Sequence, residues 1–161
     1  MVKKIVLVPQ PLTPEEFRPF GRVLVNKGSY VPRLTVGQVM VSRMRGYQRK
    51  ELDWFSAHDD GEQVIVPLDK VPTIFVVGHP SREPNPAALK AFLSQGQETI
   101  VLSPSVWHTI PVPVTVFSAL YENHHGSEWT EHTRSVNLPK EKGVTVVLHW
   151  EEWMKPVMDG T

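Results

Sequence analysis

Proline is the residue type that most limits what this chain can form. The sequence holds fifteen prolines against ten glycines, and the central prolines bracket short apolar runs. Proline disrupts a helix interior and cannot donate a hydrogen bond to a sheet ladder, so this spacing favours short strands that end at turns. The bracketing prolines stand at positions 67, 72, 80, 84, 86, 104, 111 and 113.

The apolar runs between these turns have the composition of strands. They are rich in Val, Ile, Thr and Phe, which favour a pleated, half-buried surface. The predicted strands are Ile5–Val8, Val36–Met44, Gln63–Pro67, Thr73–Val77, Glu98–Leu102, Val114–Leu120 and Val144–His149. Many short strands in succession predict a sandwich or barrel, and no repeat or linker divides the chain. We therefore expect one mainly β domain over residues 1–161.

Two short helices are expected within this β fold. Thr13-Pro14-Glu15-Glu16 combines a capping box with proline at the first helical position, which predicts a helix to about Phe20. Asn85-Pro86 has the same kind of start, and Gly96 would end the second helix. Its apolar face would consist of Leu89, Phe92 and Leu93.

The charge balance and the absence of cysteine exclude several classes of function. Seventeen basic and seventeen acidic residues cancel, so no long-range field favours nucleic acid or an anionic membrane as partner. Without cysteine there are no disulfides, thiolate metal sites or cysteine nucleophiles. The apolar run before Pro9 is too short for a signal peptide, and no segment reaches transmembrane length. We expect a cytoplasmic protein that binds a small molecule.

A first candidate site lies in the segment His58-Asp59-Asp60-Gly61-Glu62-Gln63. The histidine and the glutamate stand four residues apart across a turn that enters a strand. Both side chains could point into one cavity, where they would orient an acid or hold a metal. Asp59 and Asp60 fit an ordinary turn, and we expect them to be solvated.

A second candidate is His108, in the apolar, turn-bounded segment after the predicted strand Glu98–Leu102. The segment predicts burial, which suits a hydrogen-bonded structural histidine as well as a functional one. His124-His125 could suggest a metal pair. Neighbouring residues on a strand point to opposite faces, however, so a surface loop is the favoured interpretation.

Two further residues have open alternatives. Arg43 could pair with a substrate carboxylate if it points into a barrel, or it could stand solvated on the outer face. Trp107 could form a wall of a pocket or fill the core. Arg45, Arg49 and Lys50 have the composition of a charged turn.

Taken together, the two candidate segments resemble the two-part pattern of the cupin superfamily. In cupins the first part supplies His and Glu, the second supplies another His, and all point into a small β-barrel, often onto a divalent metal. Ser56 stands where the first histidine of the usual doublet would be, and the usual glycine before the second-part histidine is missing. The resemblance implies a cupin-like double-stranded β-helix (a jelly-roll barrel), with His58, Glu62 and His108 as metal ligands.

Four blocks of sequence resemble the ureidoglycolate lyase (ureidoglycolate hydrolase) family, and they follow the family's order. The blocks are Leu12-Thr13-Pro14-Glu15-Glu16-Phe17-Arg18-Pro19-Phe20-Gly21, His58-x-x-Gly61-x-Gln63-x-x-x-Pro67-Leu68, Leu89-Lys90-Ala91-Phe92-Leu93-Ser94-Gln95-Gly96 and Val106-Trp107-His108. The resemblance implies a homodimer that releases urea from ureidoglycolate and leaves glyoxylate, as part of allantoin and purine nitrogen degradation. It also implies a divalent metal such as nickel or zinc.

On this hypothesis the candidates share the work of breaking a hemiaminal. His58 and His108 would be the catalytic base or the metal ligands, and Glu62 would be a third ligand or an acid. Gln63 would be catalytic by holding the ureido group. The remaining substrate-binding residues would be Arg43, at the carboxylate, and Trp107.

Departures from the family keep two other functions open. Ser56-Ala57 replace the family's usual Glu-Arg, Glu62 stands where Thr is frequent, and Thr109 replaces the second residue of a His pair. Because these positions lie beside the expected pocket, one alternative is a non-catalytic, small-ligand-binding cupin. The other is an enzyme that acts on another small carboxylate or a sugar acid.

Overall fold

The computed structural model describes residues 1–25, 29–34, 38–127 and 129–151, and these residues are mainly β. Their strands are β1 (Lys3–Leu7), β2 (Gln10–Pro11), β3 (Gly21–Leu24), β4 (Val39–Tyr47), β5 (Glu51–Leu52), β6 (Trp54–His58), β7 (Gln63–Pro67), β8 (Thr73–Gly78), β9 (Lys90–Ser94), β10 (Thr99–Leu102), β11 (Trp107–His108), β12 (Val112–Pro113), β13 (Ser118–Gly126), β14 (Thr133–Asn137) and β15 (Val144–Leu148). The helices are α1 (Pro14–Phe17) and α2 (Leu138–Lys142), and a 3-10 turn covers Pro86–Ala88. None of the helices in these ranges has the length and apolar character needed to span a membrane.

The strands form two large sheets and one small sheet. The five-stranded sheet has the order β3-β10-β7-β13-β4, with antiparallel pairing throughout. The seven-stranded sheet has the order β14-β6-β11-β8-β9-β2, and β12 pairs with β8 beside this path. The three-stranded sheet has the order β1-β15-β5. Within the described ranges the two large sheets do not close into a barrel, so the predicted mainly β, cupin-like fold is confirmed in the form of a sandwich.

Strand β8 shows how the layers are held together, because all six of its residues are buried. Ile74 and Val76 pack in a cluster shared with Val146 and Leu148 of the three-stranded sheet, which we call the outer core. The alternate residues of β8, Phe75 and Val77, pack in a second cluster with residues of the five-stranded sheet, the inter-sheet core. The seven-stranded sheet is therefore the middle layer. Burial of each such side chain contributes about 1.5–3 kcal/mol.

Most predicted strands are confirmed, and the helix predicted at Thr13 forms but ends at Phe17, before the predicted end near Phe20. Gln63–Pro67 has the predicted limits, and Thr13 caps α1 by accepting a hydrogen bond from the Glu16 N–H. The predicted strand Val36–Met44 corresponds to β4, except that residues 36 and 37 lie outside the described residues. The predicted strand at Val114–Leu120 starts later, at Ser118.

The predicted helix from Asn85 to Gly96 is wrong. Asn85 caps only the 3-10 turn, and strand β9 follows at once. Phe92 packs in the inter-sheet core, whereas Leu89 and Leu93 pack in the outer core. A strand that is buried on both faces has apolar residues at nearly every position. Some of these residues are then three or four positions apart, which is also the spacing of the apolar face of a helix.

Candidate active site

A cavity of about 1000 Å³ lies at the end of the sandwich where the inter-sheet core stops. Strand alternation determines which β6 residues reach it. Phe55 and Ala57 pack in the outer core, while Trp54, Ser56 and His58 face the cavity. Strand β14 pairs with β6 in register and adds its cavity-facing residues beside them. The lining residues are Ser42, Arg43, Met44, Arg49, Trp54, Ser56, His58, Gln63, His108, Thr109, Ile110, Asn123, Trp129, Thr130, Thr133 and Ser135.

The five-stranded sheet supplies the opposite wall by continuing its core-facing rows. On β13, Tyr121 is buried in the inter-sheet core, and Asn123, two residues further, lines the cavity. Ser42 is the direct cross-strand partner of Asn123. On β7, Ile65 belongs to the core and Gln63 to the cavity. On both strands, the face that is apolar in the inter-sheet core therefore becomes polar two residues away, where it reaches the cavity.

His58 is held as a neutral imidazole with a defined tautomer. Its Nδ1 lies 2.8 Å from the Thr133 hydroxyl oxygen. That hydroxyl donates its proton to the Trp129 carbonyl, so it accepts from Nδ1–H of His58. The Nε2 atom consequently keeps its lone pair. Burial, followed by the neighbouring His108 and His125, lowers the pKa of His58 to about 3.

His108 carries its proton on the same type of nitrogen. Its Nδ1 lies 3.0 Å from the Val106 carbonyl, which can only accept, so Nδ1 is protonated and Nε2 is a free base. Burial lowers the pKa of His108 below its ordinary value. The centroids of the His58 and His108 rings are 5.0 Å apart. The cavity thus contains two adjacent imidazoles that are neutral near pH 7 and have free Nε2 lone pairs.

A buried amide pair faces the histidines. The side-chain N–H of Gln63 donates to the Asn123 carboxamide oxygen at 3.2 Å. Within the described parts of the chain, the other end of Gln63, Oε1, is buried without a hydrogen-bond partner. Leaving such an acceptor unpaired costs about 1–3 kcal/mol. A ligand N–H group placed in the cavity would satisfy it.

The formal charges of the lining favour an anion. Two arginines, Arg43 and Arg49, contribute to it, and none of its described members is Asp or Glu. Arg49 donates from Nη2 to the Thr109 hydroxyl at 3.2 Å, and burial lowers its pKa from the ordinary value. An arginine beside a cavity whose described lining has no acidic side chain is suited to a carboxylate or phosphate.

Arg43, the predicted carboxylate ligand, lies at the rim. Its side chain is 67% exposed, and its Nε is 3.9 Å from a Glu122 carboxylate oxygen. Arg43 pairs directly with Glu122 on the face of the sheet opposite to Asn123 and Ser42. Arg49, which the sequence assigned to a charged turn, holds the better position for this role.

The structure places Glu62 and Trp107 away from the cavity. The Glu62 carboxylate accepts from the Tyr30 hydroxyl at 2.7 Å and from the Arg33 backbone N–H at 2.8 Å. Trp107 packs in the outer core, and its indole N–H donates to Ser81. His108, the next residue on the strand, points to the other face.

Of the predicted metal ligands, His58 and His108 are therefore adjacent, but Glu62 does not join them. Among the described residues, no group of three or more His, Asp or Glu side chains is arranged to hold a metal ion. Within the described ranges, no carboxylate or third imidazole is arranged with His58 and His108 to complete the three protein ligands that a catalytic zinc-type site needs. The residues present thus fit proton transfer better than metal binding.

His125 is a component of the site that sequence reasoning missed. It is buried within β13, not in the predicted surface loop, and it stacks on Trp129 with centroids 3.9 Å apart. Trp129 in turn packs against the His58 ring, and the centroids of these two rings are 4.4 Å apart. His124 points to the other face and binds Glu122, as alternation on a strand requires. Asn123 and Thr133 were also missed, because their approach depends on pairing between distant strands.

Comparisons with known proteins agree with this region of the chain. A family model described as ureidoglycolate lyase matches residues 37–135, a span that contains every cavity-lining residue. A ureidoglycolate lyase of Brucella anthropi is 28% identical over 123 residues, which cover 63% of this chain and 72% of the relative. A ureidoglycolate lyase of Burkholderia cepacia is 27% identical over 124 residues, with 64% and 70% covered.

A solved structure, a dTDP sugar isomerase from Desulfovibrio desulfuricans G20, overlaps with a TM-score of 0.47 and 15% identity over 76% of this chain and 82% of the other. The family match covers more than half of the chain and encloses the cavity. This protein therefore belongs to the ureidoglycolate lyase family.

Proposed function

We propose that the protein is a lyase that cleaves ureidoglycolate to glyoxylate and urea. The observation that carries the proposal is the cavity itself, with two neutral imidazoles, a buried amide acceptor, Arg49 beside it and no described acidic side chain in its lining. Ureidoglycolate has a carboxylate, a hemiaminal hydroxyl and ureido N–H groups, and each has a complement in this set. Family membership supports a lyase over a cupin that only binds its ligand.

The carboxylate at one end of the substrate and the ureido group at the other position it in the cavity. Arg49, held beside the cavity by Thr109, binds the carboxylate through its guanidinium. Gln63 Oε1 accepts from the ureido N–H, which satisfies the buried oxygen. The hemiaminal carbon then lies between these two ends, on the side of the paired histidines.

His108 is the proposed base. Its Nε2 takes the proton of the hemiaminal hydroxyl as the C–O bond becomes a carbonyl and the C–N bond breaks. The electron pair of that bond goes to the ureido nitrogen, which takes the proton back from His108 and leaves as urea. Glyoxylate remains. The single hydroxyl proton goes to His108, so His58, whose Nε2 is also unprotonated, accepts a hydrogen bond from a ureido N–H instead and orients the leaving group.

The divalent metal implied by the family resemblance is not needed for this sequence of steps. If a metal contributes, the histidine Nε2 atoms are the protein groups available to it. The measurement is the metal content of the purified protein, with activity before and after dialysis against a chelator. We expect activity to persist, and a complete loss that returning a divalent metal reverses would contradict the proposed proton transfer by protein groups alone.

The activity test uses purified protein and ureidoglycolate, with glyoxylate and urea both quantified. We expect the two products to appear in equal amounts, well above the spontaneous rate. His149→Ala is a matched control, because His149 is exposed and absent from the cavity lining. A rate equal to the spontaneous breakdown, with and without added metals, would remove ureidoglycolate as the substrate.

The proposal includes a cytoplasmic homodimer. Edge strand β4 supports the dimer, because Val39 and Val41 are 52% and 57% exposed there, with Met40 between them at 41%. An edge strand with exposed apolar side chains is a surface that pairing with another strand can cover. Light scattering of the purified protein would give the mass, and a monomer at micromolar concentration would contradict the dimer.

A further inference from the structure

One guanidinium lies behind both cavity histidines. Arg134 alternates on β14 with Thr133 and Ser135, which line the cavity, so its side chain extends from the opposite face of the sheet. There it forms a bidentate pair with Asp59, from Nε to Oδ2 at 2.8 Å and from Nη2 to Oδ1 at 2.6 Å. Asp59 follows His58 directly in the chain.

The same guanidinium also contacts the segment that carries His108. Its carbon lies 5.0 Å from the centre of the Trp107 ring, and Trp107 directly precedes His108. The remaining Nη1 donates to the backbone carbonyls of Ser81, at 2.9 Å, and Arg82. Trp107 donates to Ser81 in turn, at 3.1 Å. One planar group thus joins three segments that are distant in sequence.

Ser105 completes the connection between the two histidine segments. Its hydroxyl donates to Asp59 Oδ1 at 2.6 Å, and its backbone N–H donates to the His58 carbonyl at 2.8 Å. Ser105 adopts a φ of +65°, a left-handed conformation that a residue other than glycine needs contacts to hold. The turn before His108 is therefore fastened directly to the end of β6.

We propose that Arg134 is a positioning residue that sets the relative placement of the His58 and His108 imidazoles from behind the cavity, with Asp59 and Ser105 as its connections. It does not touch the cavity, and the lining does not include it. A displacement of about 1 Å between reacting groups can cost about 100-fold in rate. Loss of the guanidinium therefore lowers kcat with little effect on KM. This inference rests on the proposed lyase function for its kinetic part.

The test compares Arg134→Gln and Arg134→Lys with a matched control, Lys142→Gln. Lys142 also forms a 2.6 Å ion pair, with Glu83, and its side chain is 31% exposed, the same as Arg134. The Lys142 pair does not contact either histidine segment. We expect kcat to fall about 10- to 100-fold in Arg134→Gln, with KM changed by less than about 3-fold. Arg134→Lys retains the charge but loses the fork, so it recovers part of the loss. The control keeps wild-type kcat.

A readout independent of activity is the long-range ¹H–¹⁵N spectrum of the histidine rings. In the wild type we expect His58 and His108 to show the Nδ1–H tautomer, and in Arg134→Gln their signals should shift or indicate mixed tautomers. If the wild type does not cleave ureidoglycolate, the proposed function fails and these spectra still test the positioning. Unchanged ring signals and unchanged kcat in a folded variant would overturn the inference, as would a change confined to KM. If Arg134→Gln does not fold, Arg134→Lys decides by the same criteria.

Discussion

The two ends of the space between the large sheets share strands β7 and β13 but differ in how fully their groups are paired. At the apolar end, Phe17, Phe20 and Phe92 contact one another with ring centroids 5.3–5.9 Å apart. Even the buried Tyr121 hydroxyl there has a partner, Thr73, at 2.7 Å. At the cavity end, Gln63 leaves a buried oxygen unpaired.

The difference indicates that the apolar end provides stability and the cavity end provides reactivity. A buried acceptor without a partner costs free energy of folding, and an imidazole whose pKa is lowered from 6.5 to about 3 does so wherever the pH lies below 6.5. Functional sites commonly carry such costs, which the rest of the fold offsets. Substitutions at the two ends should therefore have opposite signatures.

His108→Ala should have the largest effect, and it should act on activity. Removing a general base lowers kcat by about 10²- to 10⁴-fold, while stability should change by less than about 1 kcal/mol because the side chain borders an open cavity. Initial rates of glyoxylate release and urea unfolding of the same preparation measure both quantities. Unchanged kcat in the folded variant would exclude His108 as the base.

Phe92→Ala should have the opposite signature. Its ring packs edge-on to Phe17 at 5.3 Å and is fully buried. Truncation of a buried Phe costs about 3–5 kcal/mol of the free energy of unfolding, whereas kcat per folded molecule should stay within about 3-fold. The check is a urea titration together with rates corrected for the folded fraction. A loss of kcat larger than the loss of folded protein would show that the two ends are coupled.

The sequence correctly predicted that His58, Gln63 and His108 line one pocket, but it also assigned adjacent residues to that pocket. Glu62 precedes Gln63 and Trp107 precedes His108, yet only one residue of each adjacent pair reaches the cavity. Strand alternation predicts this once a strand is assigned. Arg49 and Asn123 could not be placed in this way, because they approach the histidines only through long-range pairing of strands.

The strand pattern itself was readable wherever one face or both faces are apolar over a short, proline-bounded run. It failed at β9, where the positions of Leu89, Phe92 and Leu93 also match a helix. It also missed α2, a five-residue helix capped by Asn137 and ended by Gly143 at a φ of +65°. A helix this short has little periodicity, so its caps are its main signal.

Stability should depend on pH through the cavity end. The pKa of His58 is about 3 in the folded protein against 6.5 for an ordinary histidine. Below pH 6.5 the unfolded chain takes up a proton that the folded protein does not, so stability is greatest above that pH and falls as pH decreases toward 3. The slope is at most about 1.4 kcal/mol per pH unit for His58. His108, whose pKa is also lowered by burial, adds in the same direction.

Urea unfolding of the wild type and of His58→Gln, between about pH 7 and about pH 5, measures this slope. The glutamine variant cannot titrate, so its stability should depend less steeply on pH. Phe92→Ala should keep the wild-type slope, because it changes the apolar end alone. Equal slopes in the wild type and His58→Gln would show that His58 is not held neutral.

The smallest expected effect comes from making the cavity end resemble the apolar end. Gln63→Met with Asn123→Leu replaces the buried amide pair by apolar groups of similar size, and it removes the unpaired Oε1 atom together with the acceptor that Gln63 serves. We expect stability to rise by about 1 kcal/mol, because replacing both partners of a polar pair is neutral to stabilising, whereas Gln63→Met alone leaves the Asn123 oxygen without its donor.

KM for ureidoglycolate should increase about 10-fold, since the acceptor for its N–H groups is gone. The urea midpoint of the double variant measures the first effect and steady-state kinetics the second. A double variant that is clearly less stable than the wild type would mean that Gln63 Oε1 is already satisfied, by water in the cavity, and that this end of the sandwich carries no cost for its function.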